Sequence, residues 1–335
     1  MSLSLVARLG RTPAQRVARA ACLWVGGSLA LAAVTFWWQV AHEGAMAQFD
    51  VSLLVLALGF AATSFGLRTL RWHFFVRAAG ARPRLRTSLR TQLIGFSLTM
   101  TPGKVGELYK CYLMEQRTGL RAARTAPIVL FEKMMDAVAF SGLAVVTAAV
   151  LPGVAESITT AARTLIIVAI GGVALAVFLR ATSPEAITRL LLRALGTSAL
   201  GRRAASALGQ AVAGGADVLK ARVLAGTLAA SVVARACDGI ALACAAWSLG
   251  IDIPLLAGVF ALNSSGALGG LSMLPGGIGV VEASMSVLLA SFGASPAAAL
   301  AGTLAARLFT FWLWVAIGLF LLVRSEVLGE RPAAR

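Results

Sequence analysis

Charged side chains interrupt several long apolar stretches of this 335-residue chain, and their types suit the binding of a charged ligand. A charge near the centre of a bilayer costs at least about 2.5 kcal/mol, so each one needs a partner or a polar cavity. As a set they indicate a polar cavity between two half-domains, whose cations hold an anionic group. The candidate binding residues are Lys104, Glu107, Lys110, Glu132, Lys133, Asp136, Arg235, Asp238, Glu282 and Arg307.

The spacing of these residues suggests which of them act together. Glu132 and Asp136 are four residues apart and share one face of a helix. Arg235 and Asp238, three apart, form either a packing pair on one helix or part of a functional site. Arg307 has no acid on its own helix and needs an acid or a phosphate from elsewhere. Lys133 is equally well placed to extend its ammonium to the membrane interface.

The composition places these charges in a helical membrane protein. Hydrophobic residues make up 59% of the chain and charged residues 13%, with a mean hydropathy of +0.84, which is too apolar for a soluble domain. Apolar blocks of about twenty residues have the length that crosses a bilayer. The net charge of +16 collects in loops, which suits an anionic inner leaflet and not nucleic acid. The cysteines and histidines have no metal-site spacing and there is no Walker motif, so no cofactor is expected.

Basic loops set the predicted topology, an all-α polytopic fold with about six full spans and both termini in the cytoplasm. The first span is expected in the apolar run from about residue 20 to residue 40, and the second covers about 51–70, after which Arg71 opens a basic cytoplasmic loop. Further spans are expected at about 126–150, 160–179, 223–249 and 297–323. The predicted organisation is a basic N-terminus 1–19, a first membrane half 20–183, an amphipathic basic cytoplasmic linker 184–220, a second half 221–325 and a tail 326–335.

Two Pro-Gly segments interrupt the apolar pattern at corresponding places in the two halves. Segment 89–109 has basic flanks on both sides, so we expect it to enter, turn at Thr101 to Gly103 and leave on the cytoplasmic side; a plain cytoplasmic loop is the alternative. Segment 255–293 is either re-entrant or two full crossings. Together they predict an inverted-topology repeat whose broken helices offer N-termini to an anion. The residues expected to shape the breaks are Pro102, Gly103, Gly106, Pro275, Gly276, Gly277 and Gly279.

Four ordered blocks carry a resemblance: "TPGKVGELYKCYL", "VLFEKMMDAVAF", "LPGGIGVVEASM" and "AARLFTF". They resemble the membrane domain of lysylphosphatidylglycerol synthases and their stand-alone flippase-like relatives. The resemblance implies a domain that moves an aminoacylated phospholipid from the inner to the outer leaflet. Positions 110 and 133 are Lys where the family often has Arg, and Lys lacks the planar fork that grips phosphate. Because the chain ends just after its last predicted span, we expect a member without the synthase domain.

The expected function is lipid translocation in a bacterial-type cytoplasmic membrane, without catalysis. Arg307, Lys104 and Lys110 would hold the lipid phosphate. The substrate would be an anionic or aminoacylated phospholipid, a glycolipid or a hopanoid-type lipid. One alternative is an intramembrane lipid-modifying enzyme that uses Glu132 and Asp136 as an acid–base pair. The other is a non-transporting partner of a lipid-synthesis enzyme, and the sequence also leaves a homo-oligomer open.

Overall fold

The structure, a computed structural model, describes residues 50–101, 106–151, 221–272 and 274–327. Within these ranges the chain is helical and contains no β-strand, which confirms the predicted all-α class for this part of the protein. The predicted first span, the span at about 160–179, the linker 184–220 and the tail from residue 328 onward lie outside the described residues. So do Pro102, Gly103 and Lys104.

The first group of helices precedes residue 152. It comprises α1 (Val51–Ala78), α2 (Leu85–Ser97), α3 (Tyr109–Thr118) and α4 (Ala122–Val150). Asp50 caps α1, since its carboxylate accepts the Ser52 N–H at 2.8 Å. Donation from Ser52 lowers the pKa of Asp50, so this cap stays ionised at neutral pH. A 3-10 turn at Leu98–Met100 ends α2.

The second group of helices follows residue 220. It comprises α5 (Ala221–Trp247), α6 (Leu255–Leu271), α7 (Val280–Ser291), α8 (Pro296–Arg307) and α9 (Leu313–Val327). A π-helical stretch, Leu308–Trp312, joins α8 and α9 into one continuous helix. A 3-10 turn at Pro275–Gly277 separates α6 from α7.

Three helices in the described ranges are long and apolar enough to cross a membrane: Val51–Ala78, Arg222–Trp247 and Pro296–Arg324. They match three predicted spans, although α1 runs eight residues past the predicted end near residue 70. Arg71 is therefore not a loop residue; it lies inside α1 and is only 3% exposed. The 17-residue α6 is about 25 Å long, shorter than the roughly 30 Å hydrocarbon core.

Small residues let these helices pack closely. α1 packs along α5, and α2 packs against α9. A Cβ built on Gly258 of α6 would lie 2.8 Å from the Ala243 side chain of α5, so these two helices cross almost at backbone contact. Close approach of this kind stabilises helix pairs in lipid, where burial of apolar surface gives little driving force. The main core joins α1, α4, α5, α6, α7 and α8.

Candidate functional site

Thr101 and Gly106 lie on either side of the first break and are joined by a hydrogen bond. The hydroxyl of Thr101 accepts the Gly106 N–H at 2.8 Å and donates to the Leu98 carbonyl at 2.8 Å. A Cβ on Gly106 would lie 2.7 Å from that same carbonyl oxygen. Only glycine fits this position, which agrees with the predicted role of Gly106 in shaping the break.

The second break depends on positive backbone angles. Gly276, Gly277 and Gly279 have φ values of +61°, +66° and +83°, a region that glycine enters without steric cost. The Gly279 N–H donates to the Glu282 carboxylate at 2.8 Å. The sequence predicts that N–H groups at the start of α7 are free to bind an anion. In the structure the Gly279 N–H is not free, because the Glu282 carboxylate accepts it.

The two breaks lie against each other. The 3-10 turn at Leu98–Met100 contacts the turn at Pro275–Gly277. A Cβ on Gly276 would lie 2.8 Å from the ring of Phe311 and 3.0 Å from the sulfur of Met100. Segments far apart in sequence therefore meet at one place in the fold.

A glutamate just after each break binds a cation on a later helix. Glu107 pairs with Lys133 of α4 at 2.6 Å, and Glu282 pairs with Arg307 of α8 at 2.7 Å. Arg307 also donates to the Gly276 carbonyl at 3.2 Å and stacks on Phe311. The structure confirms that the acid partner of Arg307 comes from another helix.

Three helices meet at Asp136 of α4. Its two oxygens bind Arg71 of α1 at 2.7 Å and Arg235 of α5 at 3.0 Å. Arg235 also reaches Asp238 at 3.2 Å, and the same Asp238 oxygen binds Arg68 of α1. Arg235 and Asp238 are thus the expected same-helix pair, and in addition each binds a charge on another helix.

Lys110 and Glu132 form a second buried pair. The Lys110 ammonium binds the Glu132 carboxylate and lies 4.2 Å from the centre of the Trp72 ring. Both side chains are about 3% exposed. The prediction that Lys110 holds a lipid phosphate differs from this arrangement. The Lys110 ammonium already binds Glu132 of α4 and is buried with it.

Sequence reasoning missed Arg68 and Arg71 as members of this network. Arg71 resembled the first residue of a basic loop, whereas it is buried and also donates to Ser231 of α5 at 2.6 Å. Arg68 lies within the predicted span and has no acid on its own helix. Arg68 thus shares with Arg307 the sequence signal of a charge inside a span that needs an acid from another helix.

A cavity of about 650 Å³ lies beside this network. Most of its wall is apolar, and the charged residues come from α1, α4, α5, α8 and the turn after the first break. Gly276 and Gly277 form part of the wall, whereas Lys110, Glu132 and Glu282 do not line the cavity. The charged lining residues are Arg68, Glu107, Lys133, Asp136, Arg235, Asp238 and Arg307.

The charges of the network nearly balance. In the part of the chain that the structure describes, the ion pairs in and around the cavity involve six cationic and five acidic side chains, a formal surplus of one positive charge. The Lys133 side chain is 42% exposed and the other cations are buried, so Lys133 is the cation most accessible to a ligand. Within the described ranges no three His, Cys, Asp or Glu residues are grouped to hold a metal ion. The arrangement suits a polar group that carries net negative charge.

Fold and site together define a helical membrane protein with a charged internal cavity. The chain belongs to the family described as the lysylphosphatidylglycerol synthase transmembrane region, which matches residues 23–318. This match covers nearly the whole chain and confirms the resemblance seen in the sequence blocks. No curated protein matches the chain.

Proposed function

We propose that this protein is a membrane lipid translocase. The polar head group of a phospholipid or glycolipid would cross between leaflets through the cavity, while the acyl chains stay in the hydrocarbon. The observation that carries this proposal is the composition of the cavity wall. Seven charged side chains share that wall with mostly apolar residues, and a lipid is the ligand that needs both kinds of surface.

The apolar part of the wall supports a lateral opening. Leu108, Leu130 and Leu271 line the cavity, yet they are 45%, 63% and 61% exposed on the same molecule. A cavity bordered by exposed leucines can admit a head group while the acyl chains remain outside. The charges inside would replace part of the hydration that the head group loses in the membrane.

We further propose an inverted-topology repeat of about six spans and two broken segments, with both termini in the cytoplasm of a bacterial-type cell. The support is the parallel placement of two ion pairs. Glu107 follows the first break and binds a cation 26 residues later. Glu282 follows the second break and binds a cation 25 residues later. Repeats that bring broken helices together at a binding site are common in transporters.

The pairing of the acids weighs against the enzyme alternative. An acid–base pair needs a carboxyl that can exchange its proton. Glu132 binds Lys110, and Asp136 lies between Arg71 and Arg235, so both are held beside cations. We therefore propose transport without catalysis.

Reconstituted vesicles test the proposal. The purified chain is placed in vesicles with lipids labelled on the acyl chain, so that each head group keeps its natural chemistry. Dithionite then removes the fluorescence of the outer leaflet. Loss of the protected inner pool faster than in protein-free vesicles supports translocation. An unchanged pool for anionic, zwitterionic and sugar head groups contradicts it, and a new lipid product would point to the enzyme.

A further inference from the structure

A strongly basic surface lies at one end of the described structure. Seven arginines there are exposed, and their side chains have neither an ion pair nor a hydrogen bond to any other described residue. We call these seven residues the basic rim. Its members are Arg77, Arg82, Arg84, Arg86, Arg121, Arg124 and Arg222.

One small apolar cluster brings these arginines together. It contains Val76 at the end of α1, Leu120 before α4 and Val223 at the start of α5. Each of these residues is a chain neighbour of a rim arginine. The start of α2 joins the same group, because Ser88 lies 2.9 Å from the ring nitrogen of His73 on α1. The seven arginines therefore lie around neighbouring ends of α1, α2, α4 and α5.

Little negative charge balances the rim. Glu115 lies nearby, and its carboxylate accepts the Ala122 N–H at 3.1 Å. Arg84 and Arg121 occupy the positions before the first turns of α2 and α4, and neither first turn contains an acid. Helix N-termini favour acidic residues, so arginines there add to the positive end of each helix. This arrangement is costly unless an anion lies close to it.

The surface beside the rim is apolar, which indicates the kind of anion. Phe74 is 57% exposed and lies three residues before Arg77 on α1. Leu89 is 40% exposed and lies three residues after Arg86 on α2. Residues three apart share a helix face, so the surface changes from apolar to basic within one turn. Lipid phosphates lie at this level in a membrane, where hydrocarbon ends and water begins.

We propose that the basic rim binds the phosphate groups of anionic phospholipids beside the mouth of the cavity. Ala126 lines the cavity and lies near the start of α4, the helix whose first turn carries Arg124, so the cavity reaches the end of α4 at which the rim lies. The rim would raise the local concentration of anionic lipid at that entrance. This binding does not depend on translocation, and it can be measured where no transport occurs.

Native mass spectrometry tests the proposal. The full chain is reconstituted in nanodiscs of equimolar phosphatidylglycerol and phosphatidylcholine, and the lipids that stay bound are counted. One variant replaces Arg82, Arg84, Arg121 and Arg124 by Gln. A matched variant replaces the same four by Lys and keeps the charge. All four side chains are exposed, so the fold should persist, and equal unfolding midpoints would verify this.

Wild type is expected to retain phosphatidylglycerol over phosphatidylcholine. The Gln variant should lose this preference by about tenfold or more, since each basic residue near an anionic surface contributes severalfold. The Lys variant should keep most of it, and added salt should weaken binding to wild type. Equal retention by wild type and the Gln variant would overturn the proposal. Equal binding of both lipids to wild type would also overturn it, and would indicate that the basic rim binds an acidic protein partner instead of lipid.

Discussion

Asp238 binds two arginines at once, and neutralising it should destabilise the fold measurably. One of its oxygens binds both Arg68 and Arg235, and its side chain is only 3% exposed. Removing one partner of a buried ion pair typically costs about 3–5 kcal/mol. When Asp238 is neutralised, Arg235 still pairs with Asp136 at 3.0 Å and Arg68 still donates to Ser64 at 3.0 Å. These remaining contacts favour a cost at the lower end of that range. We therefore expect Asp238→Asn to lower the free energy of unfolding by about 3 kcal/mol.

The assay is unfolding of the purified protein by titration with sodium dodecyl sulfate, followed by circular dichroism. Asp252→Asn is the matched control, because Asp252 is exposed and its change should stay within about 0.5 kcal/mol. Combining Arg68→Gln with Asp238→Asn should cost at least about 1 kcal/mol less than the two single changes added. A loss no larger than that of the control, or strictly additive losses, would refute this reasoning.

Three further changes separate backbone, packing and transport roles. Gly276→Ala should cost about 1–3 kcal/mol, because φ is +61° and the new Cβ would meet Phe311. Gly318→Ala should cost about 1–3 kcal/mol, since its Cβ would collide with the Leu93 carbonyl and push α9 from α2. Both losses are read from the same unfolding titration. Lys133→Gln leaves the buried Glu107 carboxylate without its cation but with an amide donor, so it should cost less than the roughly 3 kcal/mol expected for Asp238→Asn, and it should slow lipid movement in vesicles severalfold.

Each of these changes has a control on the same chain. Gly142 lies within α4 with nothing within 4 Å of a built Cβ, so Gly142→Ala should stabilise the protein by up to about 1 kcal/mol. If Gly276→Ala or Gly318→Ala behaves like Gly142→Ala, the steric argument for that glycine is wrong. Arg324→Gln removes an exposed charge at the end of α9 and should leave lipid movement unchanged. If Arg324→Gln and Lys133→Gln slow lipid movement equally, the proposed role of Lys133 in the cavity is wrong.

Apolar length predicted the helices well because it is a local property of the sequence. The span expected at about 223–249 is Ala221–Trp247, and the one expected at about 297–323 is Pro296–Arg324. The segment expected as a span at about 126–150 is helical, Ala122–Val150, but it is not one of the three described helices that are long and apolar enough to cross a membrane. A window of about twenty apolar residues needs little tertiary information to form a helix, because the bilayer leaves no other partner for its backbone.

Ion-pair partners were harder to predict because they depend on which helices become neighbours. The absence of an acid beside Arg307 was visible in the sequence, but only the fold brings Glu282 to it across the second break. The sequence predicts that Lys110 holds a lipid phosphate. In the structure α3 packs on α4, and the Lys110 ammonium binds the Glu132 carboxylate instead. The charge pattern predicts a loop position for Arg71, because counting charges cannot distinguish an arginine in the last turns of a helix from one in the loop that follows.

The most direct test of translocation through the cavity places a bulky side chain inside it. Ala137 lines the cavity on α4, whereas Val146 on the same helix is 63% exposed and does not line it. Lipid movement in vesicles is compared for Ala137→Trp and Val146→Trp, at equal amounts of protein with matching unfolding midpoints. Ala137→Trp should slow movement by about tenfold or more, which corresponds to about 1.4 kcal/mol on the crossing barrier. Val146→Trp should leave the rate unchanged, and equal rates for both variants and wild type would contradict a path through this cavity.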